Sequence, residues 1–335
     1  MRSPFQTQLV NGYFGDPLVL VEMMFEGRSV LFDLGECGSL STKSLLKVES
    51  IFITHTHIDH FIGFDTLLRV NLHRDRVLRL YGPPGLIDNV RGRLAGYTWN
   101  LVTDYSLVVE VHELFEDRRR AVRFQCAREF RSDPLAEAPF DGTALDEELM
   151  TVRTAHLDHI ITSMAYTLEE KVHVNIRKNV LDEMGIAVGP WIDGFKRALR
   201  AGVDGREEIE VPVQGDQGGG RRHVPLHRLA EEAAFITDGA KIAYVSDCRF
   251  TPENVEKIVD LVAGSDVLYC EASFLHQDAD RAWERYHLTS RQSGEIARLG
   301  GVKRLEVFHI SQRYQPDPEP LVREAREAFE AGPGE

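Results

Sequence analysis

A mixed α/β fold is predicted for this chain by three observations. Short apolar runs rich in β-branched residues recur in both halves of its 335 residues, helical patterns with recognisable ends lie between several of them, and no internal repeat is visible. With 43% hydrophobic and 27% charged residues the chain can fill one large core or two ordinary ones, which excludes disorder as its main state.

The buried-strand candidates, in order, are residues 18–21, 29–32, 50–53, 77–81, 151–154, 241–245, 267–269 and 305–308. Thr251 can cap a helix that has Pro252 in its first position and turns Ile258, Val259 and Val262 toward one face. Thr289 or Ser290 can cap another, which stops at Gly300 and Gly301, and a last helix is expected from about 320 to 329. Residues 214–220, Gln-Gly-Asp-Gln-Gly-Gly-Gly, have the composition of a flexible loop.

The formal charge of -14, from 53 acids against 39 bases, argues against nonspecific nucleic-acid binding, which depends on clustered Lys and Arg neutralising phosphates. That excess lies outside residues 167–229, where ten acids face ten bases. No apolar run approaches the roughly 18 residues of a membrane span. The start, Met1-Arg2-Ser3-Pro4-Phe5, lacks the apolar stretch of a signal peptide, so no membrane association and a cytoplasmic location are expected. Four scattered cysteines, Cys37, Cys126, Cys248 and Cys270, are expected as reduced thiols.

The strongest signal is Ile51-Phe52-Ile53-Thr54-His55-Thr56-His57-Ile58-Asp59-His60. In extended backbone His55 and His57 project from one face and can bind one ion together, while Asp59 and His60, turning into the next helix, can point toward a second. Imidazole plus carboxylate ligation suits zinc best, with manganese or iron as alternatives. Two coordination spheres need more ligands, and three candidates follow strand patterns: His159, with His156 as a competitor, Asp247 and His309. An aspartate is a natural bridge between two cations.

Thr54 to His60 resembles the signature of the metallo-β-lactamase fold superfamily, and the flanking motifs resemble its ribonuclease Z branch. Phe32-Asp33-Leu34-Gly35-Glu36, Tyr81-Gly82-Pro83-Pro84-Gly85, the motif opened by His159, Gly185 to Pro190, Ser246-Asp247, Cys270-Glu271-Ala272-Ser273-Phe274, His287-Leu288-Thr289 and the segment from His309 follow in family order, over roughly residues 29–330. This register selects His159 over His156. The chain departs from the family at Ile58, Ala165 and Ser246-Asp247-Cys248, and the family's Gly-Thr-Gly-containing N-terminal strand and following loop are absent, replaced by residues 5–17.

The resemblance implies a single domain over 1–335, a four-layer αββα sandwich with a family-type insertion within about 167–229 that would act as a tRNA-gripping arm. It assigns His55, His57 and His159 to one zinc ion, Asp59, His60 and His309 to a second, and Asp247 to both. It implies a homodimer that processes the 3′ end of precursor tRNA by an endonucleolytic attack of a metal-bridging hydroxide. Asp59 would orient or deprotonate the water, and His287, held by Glu271, would protonate the leaving oxygen. Two other readings fit the same residues: a hydrolase of small phosphodiesters or cyclic nucleotides, and a metal- or RNA-binding protein without turnover.

Overall fold

The computed structural model describes residues 5–24, 26–171, 173–215, 220–237 and 239–332. The predicted start Met1 to Pro4 and residues 216–219 of the glycine-rich stretch lie outside them. The chain forms two compact units. The first comprises the residues up to Leu145, Val152–Leu168 and those from Lys241 onward, and the second comprises Asp146–Thr151 and Glu169–Ala240.

In the first unit a sheet holds β1 (Phe5–Leu9), β2 (Val19–Met23), β3 (Arg28–Phe32), β4 (Val48–Phe52), β5 (Val77–Gly82), β6 (Val108–Leu114), β7 (Arg118–Gln125) and β8 (Arg131–Pro134) in that order, with β9 (Ala138–Pro139) against β7. Strands β3 to β6 pair in parallel, and antiparallel pairs flank them. Parallel neighbours need crossover connections, and the helices Phe64–Asn71 and Leu86–Ala95 supply them. Ile51, Ile53, Leu78 and Leu80 from the strands form one core with Phe64, Leu67, Leu68, Val90 and Leu94 from those helices.

The next strands are β10 (Thr143–Asp146), β11 (Met150–His159) and β12 (Ile161–Glu170). Four strands of the second unit follow: β13 (His173–Ile176), β14 (Glu208–Pro212), β15 (Arg221–Pro225) and β16 (Ala234–Thr237), paired as β13 with β16 and β14 with β15. This unit has its own core around Phe195, Leu181, Val211 and Leu229. Within it Arg221 pairs with Glu210, Arg228 with Glu232 and Lys171 with Asp146, so neighbouring acids neutralise part of its basic charge.

The chain then returns with β17 (Lys241–Val245), β18 (Val267–Glu271) and β19 (Leu305–Phe308), completing a second sheet in the order β10-β11-β12-β17-β18-β19. Strands β17 to β19 are parallel, joined by the helices Pro252–Val262 and Ser290–Leu299, whose Ile258, Val262, Ile296 and Ala297 pack with Ala243, Val245, Leu268 and Cys270. Aromatic rings fill the space between the two sheets: Phe32 stacks on Tyr244 at 5.3 Å and contacts Phe52 at 5.7 Å, and Tyr244 stacks on Phe308 at 5.2 Å. Alternating side chains thus face a helix layer on one side and the opposite sheet on the other, the αββα order.

The predicted helix ends hold. Thr251 accepts a bond from the Asn254 amide, and Thr289 with Gln292 forms a capping box ahead of Gly300. The last helix runs Glu319–Glu330. Two expectations change. Residues 5–17 lack the family's glycine motif, yet Phe5–Leu9 is a strand: it pairs antiparallel with Val19–Met23, buries Phe5 and receives the Tyr269 hydroxyl on Thr7 at 2.8 Å. The strand expected at 151–154 extends to His159, so that histidine ends the strand instead of following it.

Candidate metal centre

Parallel strands present all their C-terminal ends at one edge of a sheet, and the polar residues of this chain cluster there. Thr54 and His55 follow β4, Asp33 follows β3, Asp247 follows β17, Glu271 ends β18 and His309 follows β19. Asp33 and His309 adopt left-handed backbone, φ 54° and 56°, as do Ile160 and Tyr286 beside the site, φ 64° and 63°. Such conformations cost about 1–3 kcal/mol each and persist where the surroundings hold them. Two bonds from the second sheet fasten this edge: the Tyr166 hydroxyl donates to the Ile53 carbonyl at 2.8 Å and the Met164 amide to the Thr54 carbonyl at 3.0 Å.

Three groups of potential ligand atoms converge, each within 4.8 Å of one another: His55, His57, His159 and Asp247; Asp59, His60 and His309; and Asp247, Glu271, His287 and His309. All seven residues expected as metal ligands are in these groups, and His156 is not; its Nε2 lies 2.8 Å from the Leu114 carbonyl oxygen. Asp247 is central. Its Oδ2 lies 3.8 Å from His55 Nε2, 3.5 Å from His60 Nε2 and 3.7 Å from His159 Nε2, and its Oδ1 lies 3.3 Å from His309 Nδ1.

The surroundings aim these nitrogens. His60 Nδ1 donates to Asp33 Oδ2 at 2.8 Å and His159 Nδ1 donates to the Tyr286 carbonyl at 2.8 Å, so in the neutral form of either ring Nε2 carries the lone pair. Asp33, fully buried, also accepts from the Thr54 amide at 2.7 Å and the Tyr244 hydroxyl at 2.9 Å. His60 Nε2 is fully buried with no hydrogen-bond partner, a costly state for a polar atom unless a cation takes the lone pair. Imidazole nitrogens and carboxylate oxygens around such an orphan fit a divalent cation.

Electrostatics agree. Burial and the neighbouring imidazole of His60 push His55 down to about 2, so it is neutral and ligand-competent. Burial also lowers His57, helped by His159. For His60 burial opposes the imidazolium, but Asp247 and Asp33 outweigh it and hold the pKa well above the ordinary range, so a proton and a cation compete for this ring. Burial disfavours the carboxylates of Asp247 and Asp59, yet the surrounding histidines, His309 first, keep both below the usual carboxylate range.

His287 stands at the rim. Its Nδ1 donates to Glu271 Oε2 at 2.8 Å, and Glu271 in turn accepts from Ser273 Oγ at 2.7 Å and the Cys248 amide at 2.9 Å. Burial opposes a charge on His287, but Glu271 and Asp247 raise its pKa to about 9. Asp33 and Ser273 orient other site residues, a role that sequence reasoning misses. Both lie in segments that resemble the family's motifs, Asp33 after an apolar strand and Ser273 two residues past Glu271, but those motifs assign neither of them a role.

Comparison with known proteins follows the same lines. A family model described as Beta-lactamase superfamily domain matches residues 34–145. Two structures share the fold: a metallo-β-lactamase fold protein, YhfI, of Bacillus subtilis (TM-score 0.56, 14% identity, 98% of this chain and 95% of that one), and the short form of human tRNase Z (TM-score 0.52, 22% identity, 93% and 92%). The ribonuclease Z of Deinococcus radiodurans is 30% identical over 306 residues, covering 88% of this chain and 87% of that protein. With that identity spread over nearly the whole of both chains, the protein belongs to the ribonuclease Z family.

Proposed function

We propose that this chain is a metal-dependent phosphodiesterase of the ribonuclease Z kind that cuts precursor tRNA endonucleolytically at its 3′ end. The observation that carries this reading is the convergence of imidazoles on Asp247 around the orphaned Nε2 of His60, in a member of that family. His55, His57 and His159 would hold one cation, Asp59, His60 and His309 a second, and Asp247 both. Two divalent cations there supply Lewis acidity, making water more acidic and offsetting the charge that builds on an attacked phosphoryl group.

The chain's own residues do the rest. Asp59, reached by His309 Nε2 at 3.1 Å, orients the attacking water and takes its proton. The water oxygen bonds to phosphorus as the bond from phosphorus to the leaving oxygen breaks. His287 gives that oxygen its proton from Nε2, since Nδ1 is committed to Glu271. Asp33, through His60, and the Tyr286 carbonyl, through His159, keep the ligand rings in the required tautomer.

The same reading takes two zinc ions as cofactor, with manganese or iron as alternatives, a homodimer as the assembly, and the cytoplasm as the location. It takes residues 1–335 as one metallo-β-lactamase-fold domain, with the segment within about 167–229 as a family-type arm for the RNA. Among the described residues no helix is long and apolar enough to cross a membrane. The test compares the metal-loaded protein on a 3′-extended precursor tRNA and on bis-p-nitrophenyl phosphate. Cleavage of the precursor is expected; turnover of the model ester alone would move the substrate to small phosphodiesters, and neither activity from a protein with both metals bound would leave a binding protein.

A further inference from the structure

Beside His287 and His309 lies a cavity of about 460 Å³ that contains Asp59 and is also lined by Phe14, Asp16, Gln312, Arg281 and Arg285. Its size falls within the roughly 300–1,000 Å³ of small-ligand sites. Arg281 and Arg285 are four residues apart on the helix Ala279–Arg285, so they share one face, and both line the cavity. Both are exposed, and among the described residues neither has a carboxylate partner, in a chain with 53 acids.

Their direction is fixed by the residue between them. Trp283, on the opposite side of the helix, covers the Arg249 guanidinium at 4.3 Å, and Tyr286, just beyond the helix, covers the same group at 3.8 Å. Two rings over one cation anchor the helix by its far face, and the Tyr286 carbonyl is also tied to His159. The two arginines line the same cavity as Asp59, His287 and His309. Like charges four apart on a helix repel each other, so the pair is unfavourable until an anion lies across it.

We propose that this cavity receives the nucleotide next to the scissile bond, with its phosphodiester paired to Arg281 and Arg285 and its base against Phe14. Planar guanidiniums bind phosphate oxygens through paired N–H donors, which a lysine ammonium matches in charge but not in geometry. The cavity extends the proposed phosphodiesterase reading, on which it rests: it distinguishes a polynucleotide, which has a neighbouring phosphate, from a small ester, which has none. In a chain of net charge -14 it sets two arginines in a cavity that Asp16 and Asp59 also line, so an entering phosphate meets cations as well as acids.

The test uses the R281A/R285A double variant, both positions being exposed and outside the ligand set. With a fluorescein-labelled single-stranded RNA 12-mer, read by anisotropy, the variant should bind at least tenfold more weakly, and the slope of log affinity against log salt should flatten by about 0.7, the value for the one phosphate no longer neutralised. On precursor tRNA the loss should fall on KM more than on kcat, whereas turnover of bis-p-nitrophenyl phosphate should stay within about twofold. R281K/R285K should recover the salt slope but only part of the affinity. Unchanged binding and salt slope would overturn the proposal. If the wild type cleaves no precursor tRNA yet the variant loses RNA binding, the tRNA reading fails and the subsite stands; if the wild type binds a mononucleotide as tightly as the 12-mer and the variant loses both, the site serves free nucleotides and the polynucleotide proposal is overturned.

Discussion

Asp33 Oδ2 accepts a hydrogen bond from His60 Nδ1 at 2.8 Å, both side chains fully buried, and the opposite nitrogen of that ring is left without a partner in the protein. A buried carboxylate that orients a ligand imidazole adds to the ring's basicity and fixes its tautomer. Replacing Asp33 by Asn keeps the shape and removes the charge. Affinity for the cation proposed to bind His60 should fall about 10- to 100-fold, measured by titration calorimetry, with circular dichroism showing a folded protein. Unaltered affinity would mean that His60 is oriented by something else.

Asp247 and His287 separate metal binding from proton transfer. Asp247 Oδ2 is within 3.8 Å of three imidazoles proposed as ligands, so Asp247→Ala should lose metal as well as rate. His287→Ala should keep both metals and lose about 10²- to 10⁴-fold in rate, the usual range for a positioned acid. Metal content by mass spectrometry and turnover on the same preparations check both. Full turnover by His287→Ala would remove its role.

Glu110 gives a pH dependence away from the metal centre. Its pKa is lowered from the ordinary 4.5 to about 2, first by the bond from His112 and then by Arg123, against the opposing effect of burial. A depressed carboxylate stabilises the fold above its unfolded value, and that contribution is lost as pH falls from about 4.5 through about 2. Because Arg123 is partly exposed, the contribution is about 1–2 kcal/mol. The stability difference between wild type and Glu110→Gln, from urea unfolding, should shrink between pH 6 and pH 3.

Gly63, which precedes the helix Phe64–Asn71, tests the packing beneath the histidine motif. A Cβ there would overlap the Gly35 carbonyl oxygen and Cys37 Sγ, both held close by the bond from the Gly63 amide to the Leu34 carbonyl at 2.9 Å. Gly63→Ala should cost about 1–3 kcal/mol, seen as a lower urea midpoint, and should weaken metal binding because His60 lies three residues away. An unchanged midpoint would show that this loop can move.

The histidine motif is legible because its members are contiguous: one strand end and one turn bring His55, His57, Asp59 and His60 together whatever the rest of the chain does. The helix caps are legible for the same local reason. Asp33 is readable only as part of a motif, since its partners Thr54, His60 and Tyr244 lie 21, 27 and 211 residues away. Strands β6 and β7 escape a sequence reading because Glu110, Glu113, Arg120 and Arg123 interrupt their apolar pattern; across the two strands these charges pair with one another. Arg281 and Arg285 look like ordinary surface charges until the fold sets them beside His287 and His309.

The central claim is that this constellation hydrolyses a precursor tRNA with the help of bound cations. The most direct measurement maps the product ends from a 3′-extended precursor tRNA incubated with the purified protein, before chelation, after chelation, and after zinc or manganese is restored. A single cut just after the acceptor stem is expected, abolished by chelation and restored by metal. A cut that persists without metal, or metal-restored hydrolysis of a model ester with the precursor left intact, would contradict it.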